Sequence, residues 1–193
     1  MKKIFFLLAV SFFCLVAGAQ SNQGDINYGV KGGVNLAKFK GENTGNSENR
    51  TSFNAGVLMR YHLLQTLALH AELFYGGHGG KEGSAYEYRF ASLFLPIMAA
   101  YYFSTFYLAT GPQLCYLLSA KQKYNDTESD IKRDYRSANF AWVFGLGYML
   151  SRSIGLDARY SLGLGNIHKD SNLSNVQHSI FMISLVFMLS AKK

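Results

Sequence analysis

Cysteine is almost missing from this 193-residue chain, which holds only Cys14 and Cys115. Two cysteines rule out a disulfide-stapled scaffold and a cysteine-rich zinc site. Proline occurs twice and tryptophan once. Beyond residue 20 there is no run of eighteen apolar residues, which excludes a transmembrane helix from that part of the chain.

The first twenty residues, MKKIFFLLAVSFFCLVAGAQ, do carry an apolar run. Lys2 and Lys3 precede it, and Ala17-Gly18-Ala19 closes it with small residues. That arrangement predicts a secretory signal peptide over residues 1–19, with 20–193 as the mature domain. Cys14 lies inside the apolar run rather than after the cleavage site, so lipidation is not expected. The mature chain then keeps Cys115 alone and can form no internal disulfide. Lysine and arginine number 19 against 12 acidic residues; without Lys2 and Lys3 the balance is 17 to 12. Export makes nucleic acid an unsuitable partner for this excess, and anionic lipid headgroups suit it better.

What the mature sequence does have is period two. Eight segments, near residues 28–39, 53–63, 67–76, 92–102, 107–118, 140–150, 156–165 and 178–189, read as β-strands. In 53–63, Phe53, Ala55, Val57, Met59, Tyr61 and Leu63 oppose Asn54, Gly56, Arg60 and His62. In 156–165, Leu156, Ala158, Tyr160, Leu162 and Leu164 oppose Asp157, Arg159, Ser161, Gly163 and Gly165. The fourth, fifth and eighth segments are apolar on both faces, which leaves their outward side open. Pro96 and Pro112 fall within two of them, and each removes one ladder donor.

The breaks alternate in size. Gln65-Thr66, Ser104-Thr105 and Ser151-Arg152-Ser153 mark tight turns, whereas KGENTGNSENRTS, GHGGKEGSAYE, AKQKYNDTESDIKRDYRSA and NIHKDSNLSNVQ read as long polar loops. Strands of roughly ten residues, with short turns at one end and long loops at the other, predict an all-β, eight-stranded, antiparallel, up-and-down transmembrane β-barrel. It would be closed by its first and eighth strands. A soluble barrel would bury the apolar face inward. Against that stand the aromatics Tyr61, Tyr75, Trp142, Tyr148 and Tyr160 on the apolar face, and the glycines on the polar one. Lys31, Arg60, Glu72, Asp157 and Arg159 are therefore placed in the lumen as a structural charge network. A register in which paired positions sum to 132 would set Arg60 across from Glu72 and His62 across from His70.

Tyr28–Phe39 (YGVKGGVNLAKF), Gly111–Lys121 (GPQLCYLLSAK) and Phe144–Tyr148 (FGLGY) resemble the PorT-like outer-membrane β-barrels, often labelled "porin family". Leu95-Pro96-Ile97 is similar to that family's proline-bearing fourth strand. The resemblance spans the mature chain and implies the outer membrane of Gram-negative bacteria. It also implies outer-membrane lipids and the barrel-assembly machinery as partners, with other envelope or secretion proteins as further candidates.

Enzymatic signals are weak. GHGGKEGS (77–84) fails as a phosphate loop, because Glu82 stands where Ser or Thr would reach magnesium; it reads as a flexible surface loop. Gly145/Gly147 and Gly163/Gly165 lack a third glycine and read as lumen-facing strand glycines. His168, Asp170 and Ser171 share one loop with His178 nearby, but nothing in the sequence fixes their geometry. The histidines lack metal-ligand spacing. The sequence thus points to a non-enzymatic barrel without cofactor or metal, displaying loops or serving envelope secretion. A small-solute channel is the alternative, and a lipid- or protein-modifying enzyme comes third. The loop at 120–137 reads as solvated.

Overall fold

The computed structural model describes residues 23–41, 47–82, 86–124, 127–165, 167 and 176–189. The expected leader (1–19) and loop residues His168, Asp170 and Ser171 lie outside the described residues. Among these, nine strands occur: β1 (Ile26–Gly41), β2 (Ser47–His62), β3 (Leu67–Glu82), β4 (Tyr86–Phe103), β5 (Phe106–Tyr124), β6 (Thr127–Asp130), β7 (Ala138–Met149), β8 (Ile154–Gly163) and β9 (Val176–Leu189). Eight of them form a closed antiparallel barrel in the order β1-β2-β3-β4-β5-β7-β8-β9, with β9 returning to β1. The closing seam runs from Tyr28 opposite Leu189 to Gly41 opposite Val176. The short β6 folds back on the end of β5, from Lys121/Asp130 to Tyr124/Thr127.

Closure follows from the solvent. In hydrocarbon every backbone N–H and C=O must be paired, and a closed ladder leaves no edge. The side chains divide accordingly. Phe53, Val57, Leu73, Trp142, Phe144, Leu185 and their neighbours face outward, while Lys31, Asn35, Arg60, Glu72, Asp157 and Arg159 are buried inside. No helix among the described residues is long and apolar enough to cross a membrane.

The three ambiguous strands resolve on packing. β4 sends Phe90, Phe94, Met98 and Ala100 inward, β5 sends Tyr107, Ala109, Cys115 and Leu117, and β9 sends Ile180, Met182, Val186 and Met188. The inward faces of β4, β5 and β9 are thus mainly apolar, and those of β1, β2, β3 and β8 carry the charges. Pro96 and Pro112 sit where pairing lapses. The β3–β4 ladder skips from Ala71/Ile97 to Phe74/Phe94, and the β4–β5 ladder from Pro96/Gln113 to Ala99/Thr110. A residue without an N–H can be spared at such points.

Several strands run 16 to 19 residues, beyond the roughly ten that cross a bilayer. Three loop readings are corrected by this extension. KGENTGNSENRTS (40–52) is strand up to Gly41 and again from Ser47. GHGGKE (77–82) is strand, paired with β4 from Gly77/Ala91 to Glu82/Tyr86. The 120–137 segment is the β5–β6 hairpin followed by a 3₁₀ turn at Lys132–Asp134, and its Tyr135 is buried against Phe90. At the opposite end the turns are tight. Ser104, with φ 59°, closes β4 onto β5 between Phe103 and Phe106.

Candidate functional site: a charge network across the lumen

The five expected lumen residues sit on β1 (Lys31), β2 (Arg60), β3 (Glu72) and β8 (Asp157, Arg159), and all have at most 4% of their surface exposed. Arg159 grips Glu72 with two parallel bonds, Nη1 to Oε2 at 2.7 Å and Nη2 to Oε1 at 2.6 Å. Lys31 Nζ donates to the same Oε2 at 3.0 Å. Arg159 Nη2 also reaches Asp157 Oδ2 at 3.1 Å, and its Nε faces Asp157 Oδ1. Two cations and two carboxylates therefore alternate in one buried quartet.

The expected Arg60–Glu72 pairing is not what forms. In the β2–β3 ladder Arg60 lies opposite His70, Leu58 opposite Glu72 and His62 opposite Ala68, so paired positions sum to 130. The physical reason is at the turn. Leu64 and Leu67 exchange backbone hydrogen bonds around Gln65-Thr66, and the ladder resumes at His62/Ala68, which leaves Leu63 as an extra residue between β2 and the turn. The net offset from expectation is even, so every side chain keeps its face while changing its partner.

Arg60 instead joins through Tyr107 of β5. Its Nη2 donates to the Tyr107 hydroxyl at 3.2 Å, and that hydroxyl donates to Asp157 Oδ2 at 2.6 Å. Arg60 Nη1 meets Met149 Sδ at 3.4 Å, and its guanidinium lies 5.0 Å from the Tyr107 ring centre. Lys31 Nζ sits 4.1 Å from the centre of the Phe74 ring. His62 and His70 do not face each other across the ladder, yet both rings pack on Tyr102, with centroids 5.3 and 5.9 Å away. His70 Nε2 lies 2.9 Å from the Tyr102 hydroxyl.

Glycine opposite the charges makes room for them. Gly145 pairs with Arg159 and Gly147 with Asp157. A Cβ at Gly147 would come within 2.0 Å of the Tyr107 ring, so that ring can cross the lumen only over a glycine. Gly163 is buried as expected, but Gly165 lies past the end of β8 and is exposed.

In the closed ring β3 and β8 stand four strands apart, as do β2 and β7. Arg159–Glu72 and Arg60–Met149 therefore each span the full diameter. Toward the long-loop end, Asn54 bridges Asn35 at 2.6 Å and Ser184 at 2.9 Å, and Gln113 reaches Ser161 at 2.9 Å. Phe74 stacks on Phe94 beside Cys115. Phe90, Leu117, Ala120, Tyr135 and Ile167 then close the mouth, where Arg136 N–H bonds the Ile167 carbonyl and ties two loops together. Among the described residues no group of three or more histidine, cysteine or acidic side chains is placed to hold a metal ion.

A greasy exterior, a closed ladder and a charged interior define an integral outer-membrane barrel. The sequence matches the family described as "Outer membrane protein beta-barrel domain" over residues 18–169, and the chain belongs to that family. Its fold is similar to the attachment invasion locus protein Ail of Yersinia pestis, at 16% identity and TM-score 0.55, covering 86% of this chain and 99% of that one. It is similar also to Neisserial surface protein A, at 13% identity and TM-score 0.57, covering 83% and 96%. No curated protein is significantly similar to it in sequence. The chain is an outer-membrane β-barrel protein of the cell outer membrane.

Proposed function

We propose that the protein is a plugged, non-enzymatic barrel whose work is done at its long-loop end. The observation that carries this reading is the pair of diametric contacts, Arg159–Glu72 and Arg60–Met149, stacked below an apolar cap. In an eight-stranded barrel the interior is only wide enough to be filled by side chains. Here that filling is held by charge pairing, so the lumen network serves as scaffold. Long-loop ends face the outside of the cell in such barrels, and the extended β3–β4 and β5–β6 ends form a surface that other molecules can meet. The resemblance of Tyr28–Phe39 and Gly111–Lys121 to PorT-like barrels supports a role as an envelope or secretion accessory among such partners.

Two experiments test the reading. Reconstituted in planar bilayers, the barrel should show no stepwise conductance above the lipid baseline. Steady ion-selective steps would instead favour the small-solute channel, for which the polar column of Asn35, Asn54, Ser184 and Asp157 is the natural wall. Crosslinking in native membranes from cysteines placed in β6 should capture envelope proteins. Capture of none, with efficient crosslinker loading, would argue against an accessory role.

A further inference from the structure

The outward face of the barrel changes character abruptly along two neighbouring strands. On β5 the outward residues run Phe106, Leu108, Thr110, Pro112, Tyr116 and Leu118, all exposed. Leu118 is the extra residue of a bulge, and beyond it Lys121 and Lys123 continue the outward row. On β4 the outward residues Ile97, Leu95 and Leu93 give way to Arg89 and Glu87, which pair with Lys121 and Lys123. Phe90 and Ala120 between them are buried in the lumen, so strand alternation places these charges on the outside. The apolar row of β5 is about as long as a strand that crosses hydrocarbon. On that length argument the charges fall at the level of the lipid headgroups.

The cluster is tied together. Glu87 accepts from Arg89 Nη2 at 2.8 Å and from Arg50 Nε at 3.1 Å. Arg50 lies alongside Gly77 to get there, over the glycine-rich outward face of β3. Glu128 on β6 takes Lys121 Nζ at 3.0 Å and stands 3.7 Å from Arg89 Nη1. Four cations, Arg50, Arg89, Lys121 and Lys123, thus meet three carboxylates, Glu87, Glu128 and Asp130, the last directly across from Lys121 in the ladder, which leaves the patch cationic by one charge. The side chains of Arg89 and Lys121 are 40% and 49% exposed.

We propose that Arg89, Lys121 and Lys123 form a binding site for the phosphate groups of outer-leaflet lipid headgroups. Guanidinium and ammonium groups are suited to phosphate, the former as a two-pronged donor. The position fixes the source: these side chains sit on the lipid-facing wall, one step above the hydrocarbon, so the phosphate that meets them belongs to a lipid. Glu128 competes with that phosphate for Lys121 and Arg89. The inference rests on the membrane placement of the barrel and is independent of whether the lumen conducts.

The test uses the whole barrel in detergent micelles with bis-phosphorylated lipid A as the probe, and native mass spectrometry to count retained lipid. Arg89→Gln/Lys121→Gln/Lys123→Gln should weaken retention on the order of tenfold to a hundredfold, since each basic residue near an anionic surface contributes on the scale of a kilocalorie. Glu128→Gln should move it the other way and strengthen retention. Heat-modifiable gel mobility, unchanged in both variants, would show that the barrel is folded. Equal retention in the triple variant would overturn the proposal. So would equal retention of dephosphorylated lipid A, or displacement by millimolar inorganic phosphate, which would mark a general anion site.

Discussion

Glu72 has no slack. It is buried and takes three charge-assisted bonds from two cations, one on the opposite wall. Removing it strands Lys31 and Arg159 in a region with little water, and breaking a buried pair in this way costs about 3–5 kcal/mol. Removing Lys31 as well leaves Arg159 with Asp157, a neutral couple. Glu72→Leu should therefore lower the urea midpoint of the folded barrel more than Lys31→Met/Glu72→Leu does. A double variant weaker than the single one, by the loss of both contributions, would remove charge balance as the explanation. The sequence made the inward placement of all five charges legible, because polar residues at every second position of an otherwise apolar strand have nowhere else to point. It did not reveal Tyr107. That residue sits in a strand apolar on both faces, and only the pairing of Tyr107 with Gly147 marks it as an inward aromatic resting on a glycine.

At the scale of strands, period two was enough for direction but not for partners or ends. The β2–β3 register depends on one extra residue at Leu63, which no pattern announces. The strand ends were obscured for a different reason. At these ends the outward face carries charge or glycine in place of apolar side chains, while His78, Phe90 and Ala120 stay buried. The apolar half of the alternation therefore fades, and GHGGKE and KQKY look like loops. These extended ends hold the Glu87 and Glu128 ion pairs, and they give the fold an acid-sensitive rim. The hydrogen bond from Arg89, and then that from Arg50, hold the Glu87 carboxyl down at about 2, against an ordinary value of 4.5. Lys121 lowers that of Glu128 in the same direction. A carboxylate depressed in the folded state stabilises fully above its unfolded value, and that contribution fades as pH falls through the folded one. Hydrogen-exchange protection factors at the outer ends of β4 and β5, which take out the pH dependence of intrinsic exchange, should thus be constant above pH 4.5 and fall between pH 4.5 and 2. Glu87→Gln should lessen that loss, whereas the same dependence in Glu87→Gln would place its origin elsewhere.

For the whole molecule, the barrel wall and its filling follow from one division of solvents, and Cys115 reports on both. It is the single cysteine beyond residue 20, it is 2% exposed, and it faces the lumen between the Phe74–Phe94 stack and the cap. Reagents entering from the periplasmic end would have to pass the ring of Arg60, Tyr107, Glu72 and Arg159. From outside they would have to displace Tyr135 and Ile167, which close over Leu117 one inward position above Cys115. A charged maleimide should therefore leave Cys115 unlabelled in the folded barrel and label it promptly in urea. Tyr135→Ala/Ile167→Ala opens only the outer route, because the charge network lies on the far side of the thiol. Labelling in that variant should accelerate while the urea midpoint falls modestly, by the loss of two partly independent apolar contacts. Labelling of the unaltered folded barrel at the unfolded rate would mean that the lumen is open to water along its length. Slow labelling in the loop variant would instead place the barrier at the Phe90–Leu117 layer, beneath the two removed side chains and directly above the thiol.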